Sequence, residues 1–149
     1  MNKPLQVTKS FNLAELVSPE YYNMFGDKSL QFLQVPAIMF LQKFRDYVGR
    51  PVLVNNWIDG GNLQYGGLRP FNCKTGASLS IHKFGGAFDP KVEGMTGAEM
   101  RQIIIDKWDT HFKGTITTIE DGTEGWLHGD CRNTGSDKLL IIPYWKKPK

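Results

Sequence analysis

Apolar positions along the chain fall into helical stretches in its first half and into shorter strand-like runs toward its end. Between Pro36 and Val48, the residues Ala37, Phe40, Leu41, Phe44 and Val48 recur at the spacing of one helix face. Gly49 follows as the expected stop, because glycine accepts the left-handed backbone that ends many helices. Upstream, Asn12-Leu-Ala-Glu15 has the form of a capping box opening a short helix. Ser18-Pro19 starts a second helix that ends before Gly26. Thr96-Gly-Ala-Glu99 is another capping box. It opens a helix to about Trp108, with Met100, Ile103, Ile104 and Lys107/Trp108 on one side. A strand P-V-L-V-N-N-W follows the long helix directly, and three strand-like runs close the chain: Thr115–Ile119, Gly125–Arg132 and Lys138–Trp145. Helices first and strands after, with one helix inserted, predict an α+β fold on a mostly antiparallel sheet.

Residues 58–80 break this pattern. They are rich in Gly, Asn, Pro and Ser and show no periodicity, and a loop of that length in a compact domain is usually functional.

At 149 residues the chain is expected to be one domain, 1–149, with a real hydrophobic core. No apolar run approaches the ~20 residues that span a bilayer. The opening residues lack the apolar segment of a secretory signal. The net charge of +3 is scattered apart from the tail W-K-K-P-K, which is expected to be solvated. Nucleic-acid binders carry a denser basic stripe, so neither nucleic acid nor membrane is an expected partner. Cys73 and Cys131 are expected as reduced thiols. Neither has a C-x-x-C neighbour, which argues against cysteine ligation of zinc.

The remaining chemistry centres on S-I-H-K-F-G-G-A-F-D, Ser80 to Asp89, where a histidine and an aspartate flank a turn of small residues. A catalytic zinc takes three protein ligands and keeps one position open. The chain has three histidines. His128 lies in E-G-W-L-H-G-D, a predicted strand in which Trp126, His128 and Asp130 share a face. His111 follows a predicted helix end, an ordinary place for an imidazole beside the helix dipole. His82, Asp89 and His128 therefore form the expected ligand set, with His111 outside it. Gly85 and Gly86 permit the turn, which on spacing alone could be a plain hairpin. Ser80 is placed to hydrogen-bond to the ligand His82, and Trp57 and Trp126 read as core or site-wall aromatics.

The whole pattern, Ser80-x-His82-x-x-Gly85-x-Ala87-x-Asp89 followed by a Trp-x-His-x-Asp strand, resembles the zinc D-alanyl-D-alanine carboxypeptidase family. That family includes bacteriophage L-alanoyl-D-glutamate endolysins and shares its fold with the hedgehog signalling domain. The helix 36–48, the strand P-V-L-V-N-N-W and the loop ending G-G-L-R are similar to the family's upstream segments, so the resemblance covers roughly residues 10 to 135. It implies a hedgehog-like α+β fold and Zn2+ held by His82, Asp89 and His128. It also implies that Arg69 steadies a substrate carbonyl or terminal carboxylate, work that suits a planar guanidinium.

One departure stands out. Family members place a glutamate three residues before the second histidine, where this chain has Gly125. Glu124 lies four residues before His128, which in an extended strand returns to the same face, so Glu124 is the expected base. Glu120 and Asp130 are the alternatives, and Asp130 could instead orient a ligand. The expectation is a monomeric zinc peptidase acting on peptidoglycan stem peptides. It would be made without a signal peptide and reach the cell wall through holin pores or with a virion. The bond cut stays open among D-Ala-D-Ala, L-Ala-D-Glu and a cross-link. The displaced glutamate keeps a second expectation: a non-catalytic metal-binding virion or structural protein of the same fold.

Overall fold

In the computed structural model, which describes residues 2–144, three α-helices pack around a four-stranded sheet. The Asn12 capping box forms as expected and closes a single 3-10 turn, Leu13–Glu15. Helix α1 spans Pro19–Phe25, with the Ser18 side chain accepting from the Tyr21 N–H and proline in the first turn. Helix α2, Val35–Val48, ends at Gly49 with φ of 67°. Its Ala37, Phe40, Leu41 and Phe44 are the buried face. Helix α3, Gly97–Lys107, opens on the Thr96/Glu99 capping box and widens into a π-turn over Trp108–Phe112.

The strands are shorter than the sequence predicts. They are β1 Ala87–Phe88, β2 Thr118–Asp121, β3 Gly129–Asp130 and β4 Leu140–Pro143, ordered β1-β3-β2-β4 across the sheet. β3 pairs antiparallel with both β1 and β2, whereas β4 runs parallel to β2, so the sheet is mixed. Residues 125–128 do not pair as strand, and the tail from Trp145 onward, including the basic W-K-K-P-K, lies outside the described residues.

The expected strand P-V-L-V-N-N-W is a correction. Only one bridge forms there, between Leu53 and Lys91. Asn55 and Asn56 divert the chain. Asn55 donates to the Val17 carbonyl and accepts from the Gly66 N–H, and Asn56 accepts from the Leu63 N–H. Side chains that bond nearby backbone in this way offer an alternative to a ladder, and the segment turns into the 3-10 turn Trp57–Asp59. Trp57 donates its ring N–H to the Val17 carbonyl and packs edge-on against Tyr22, away from the cleft lining.

One contiguous core joins the elements, built on Phe11, Leu16, Phe40, Phe44, Phe88, Ile104, Phe112 and Ile119. Helix α2 lies so close to the sheet that a Cβ on Gly129 would stand 2.7 Å from Phe40 Cε1. Gly129 therefore turns toward the core, and by strand alternation its neighbours His128 and Asp130 turn to the opposite side. That side is the floor of the main cleft.

Candidate metal centre

The three expected ligands meet. His82 Nε2 lies 3.1 Å from Asp89 Oδ1, His128 Nδ1 lies 2.9 Å from the same oxygen, and the two ring nitrogens are 3.2 Å apart. All three side chains are largely withdrawn from solvent and line a cleft of about 1250 Å³. Among the described residues, no further His, Cys, Asp or Glu joins this cluster.

Local structure explains how each arrives. His82 sits in the 3-10 turn Ile81–Phe84, which ends at Gly85 with φ of 73°. A Cβ at Gly85 would stand 1.7 Å from the Phe32 carbonyl oxygen, so both the conformation and the close approach require glycine. Asp89 and His128 come together through strand register. Phe88 pairs with Gly129, and the next antiparallel step sets Asp89 beside His128. On the other side of β3, Ile119 pairs with Gly129, and the next step sets Glu120 beside His128. Residues directly opposite share a face. Asp89, His128 and Glu120 thus form a row across three strands.

The ring tautomers follow from the outward hydrogen bonds. His82 Nδ1 donates to the Gly67 carbonyl at 2.9 Å, and His128 Nε2 donates to Asp130 Oδ2 at 2.8 Å. With a metal bound, each ring would turn a lone pair inward beside the Asp89 carboxylate; without one, a proton shared between a ring nitrogen and Asp89 holds the same atoms together. Donor atoms this close hold a positive species between them, a proton or a metal ion. A four-coordinate zinc about 2.0–2.2 Å from each donor fits this donor set, and a metal-bound histidine ordinarily gives its other N–H to a carbonyl or carboxylate. The residues present therefore suit the metal.

The electrostatics point the same way. Burial would push the Asp89 carboxyl up, but the His82 and His128 rings outweigh it and hold the group well below the usual range. Burial pulls the His82 imidazole down, with Asp89 opposing. Burial also acts to lower His128, yet its bonds to Asp130 and Asp89 prevail and raise it to about 10. The cluster draws positive charge.

Several expected roles need correction. Glu124 is exposed and does not line the cleft, because residues 122–128 turn rather than extend and the same-face argument fails. Its carbonyl accepts instead from the Gly97 N–H at the start of α3. Glu120 holds the place near the ligands: its Oε1 is 3.9 Å from His128 Nε2, and its side chain is 23% exposed. Burial pushes this carboxyl up, partly offset by His128. Ser80 does not touch the His82 ring. It accepts from the His82 backbone N–H at 3.4 Å and so caps the turn that carries the ligand, while Gly67 supplies the ring partner. Arg69 lines the cleft but is buried. Its donors go to Asp89 Oδ2 at 3.0 Å and to the Tyr65 and Thr75 carbonyls, so it steadies a ligand.

Asp130 takes the orienting position. It is fully buried between His128 and Arg132, and these two outweigh its burial to lower its carboxyl. His111 is remote from the cluster and packs its ring against Tyr47, and Cys73 and Cys131 are free thiols. Trp126 stands in the cleft wall. No described helix is long and apolar enough to cross a membrane. Comparison of the chain with family models, curated proteins and solved structures finds no match.

Proposed function

We propose that this chain is a zinc-dependent peptidase of the D-Ala-D-Ala carboxypeptidase type, with the hedgehog-like fold, cleaving stem peptides of peptidoglycan. The observation that carries the reading is the site's incompleteness. Structural zinc sites are closed by four protein ligands, whereas catalytic ones hold three and face an open cleft. Here three donors converge on a cleft floor, and a half-buried carboxylate stands next to them without joining the set.

Bound there, zinc would supply Lewis acidity toward a peptide carbonyl and acidify water. The chain's own residues do the rest. Glu120 accepts the proton of the attacking water and returns it to the departing amine. A carboxyl raised by burial is better matched to that exchange near neutral pH than an ordinary one. Gly67 and Asp130 hold the two imidazoles in the required tautomers, and Arg69 holds Asp89. With Glu120 in the row, the missing glutamate before His128 no longer argues for a non-catalytic relative. A phage lysis or virion enzyme working as a monomer is the setting that the motif resemblance supports.

The test is digestion of purified peptidoglycan, with and without chelator, followed by mass spectrometry of the muropeptides. The expected result is a zinc-dependent fragment whose mass identifies the bond cut. No new fragment from zinc-loaded protein would support the non-catalytic alternative.

A further inference from the structure

The cleft is unevenly charged. Its lining includes five cations, Arg69, Lys74, Lys83, Lys91 and Arg132, against two carboxylates, Asp89 and Glu120. Three of the cations are committed. Arg69 is bound to Asp89, Arg132 to Asp130, and Lys83 donates to the Ser78 carbonyl at 3.0 Å. Lys74 is exposed on the loop 71–79, where a long side chain keeps its full rotamer freedom. Lys91 differs from both groups. It is half-buried, and among the described residues no carboxylate lies within ion-pair distance of its ammonium.

The position of Lys91 is built. Its backbone exchanges two hydrogen bonds with Leu53, at 2.8 and 2.9 Å. Its Nζ stands over the Trp126 ring, 5.3 Å from the centroid, and Trp126 is braced edge-on by Tyr144. Lys91 follows Asp89 by two residues, and both line the cleft. A preorganised ammonium lining the same cleft as the three ligands, close enough to feel the Asp89 charge but not paired with it, has one evident complement: an anionic group on the molecule that enters.

We propose that Lys91, held by Trp126, is the carboxylate-recognition group of this cleft. On the peptidase reading the substrate already carries a free carboxylate close to the amide under attack, and Lys91 is the residue that receives it. The inference deepens the peptidase reading and rests on it for the ligand being a peptide. Two sources of carboxylate are possible, an acidic residue within the peptide or its C-terminus, and both are bound by the same chemistry. A charge-assisted contact of this kind supports roughly a 10- to 100-fold preference over a neutral amide.

The experiment is calorimetric titration of zinc-loaded Glu120→Gln protein, so that binding is read without turnover. The probes are L-Ala-γ-D-Glu-L-Lys, the same peptide amidated at the D-glutamyl carboxylate, and the same peptide amidated at its C-terminus. One of the two amides should bind about 10- to 100-fold more weakly than the parent, and which one does names the source. Adding Lys91→Met should weaken the parent by the same factor and leave that amide unchanged, while Lys91→Arg should keep most of the preference. Equal loss of all three peptides in Lys91→Met would overturn the proposal, as would no binding of the parent peptide. If the wild-type protein cleaves no muropeptide while the carboxylate preference and its loss in Lys91→Met hold, the peptidase reading fails and the recognition group stands.

Discussion

His82, Asp89 and His128 sit at mutual separations of 2.9–3.2 Å, so each should be needed to hold the metal. Elemental analysis should find roughly one equivalent of zinc in the parent protein, most of it lost in His82→Ala and in His128→Ala and kept in His111→Ala. Retention of full metal by either ligand variant would refute the assignment. The base separates two neighbouring glutamates. Glu120→Gln should keep zinc but lose on the order of 10²–10⁴ in turnover, whereas the exposed Glu124→Gln should run at the parental rate. Asp130→Asn should weaken zinc affinity about 10- to 100-fold in a competition titration, because it loosens His128 and leaves Arg132 without its carboxylate. His82 and Asp89 were legible in the sequence because they lie only 7 residues apart in one motif. Glu120 was not, because its neighbourhood with His128 exists only through strand pairing. No spacing along one strand could reveal it, and face counting favoured Glu124 instead.

At the scale of elements, the three capped helices were readable because capping is a bargain among residues three apart. Asn12 with Glu15, Ser18 with Tyr21 and Thr96 with Glu99 each form the expected ends. The strands were harder, since pairing partners lie far apart and two of the four strands contain only two residues. The segment 51–57 misled because its apolar run Val52–Val54 leads into asparagines that bond elsewhere. The turn after His82 supplies a sharp comparison. Gly85→Ala must place a methyl against the Phe32 carbonyl, while Gly49→Ala meets nothing within 4 Å although its φ is also positive. In urea unfolding, Gly49→Ala should cost about 1 kcal/mol. Gly85→Ala should cost clearly more, with zinc affinity falling alongside stability. Equal costs would show that the Phe32 contact does not shape the turn.

For the molecule as a whole, the metal cluster ties the turn at His82 to the end of β1 and the entry to β3, two strands already paired with each other. An ion bound there should stabilise the entire fold. At a free zinc concentration 100 times its Kd the gain is about 2.7 kcal/mol, or roughly 5–10 °C in Tm for a chain of this size. Calorimetry with and without chelator should show this shift, and His82→Ala should abolish it; an unchanged Tm in the parent would argue against a site spanning these elements. The row of Asp89, His128 and Glu120 also bears on how such a protein can diverge. Its base is placed by a neighbour across the sheet, so the residues between Glu120 and His128 form a connection whose length is under no direct constraint from the chemistry. Descendants could lengthen or trim that connection and still present the acid to the metal. A search that demands a set interval between glutamate and histidine would pass over all of them, while one that asks which acid faces the histidine would gather them into one lineage.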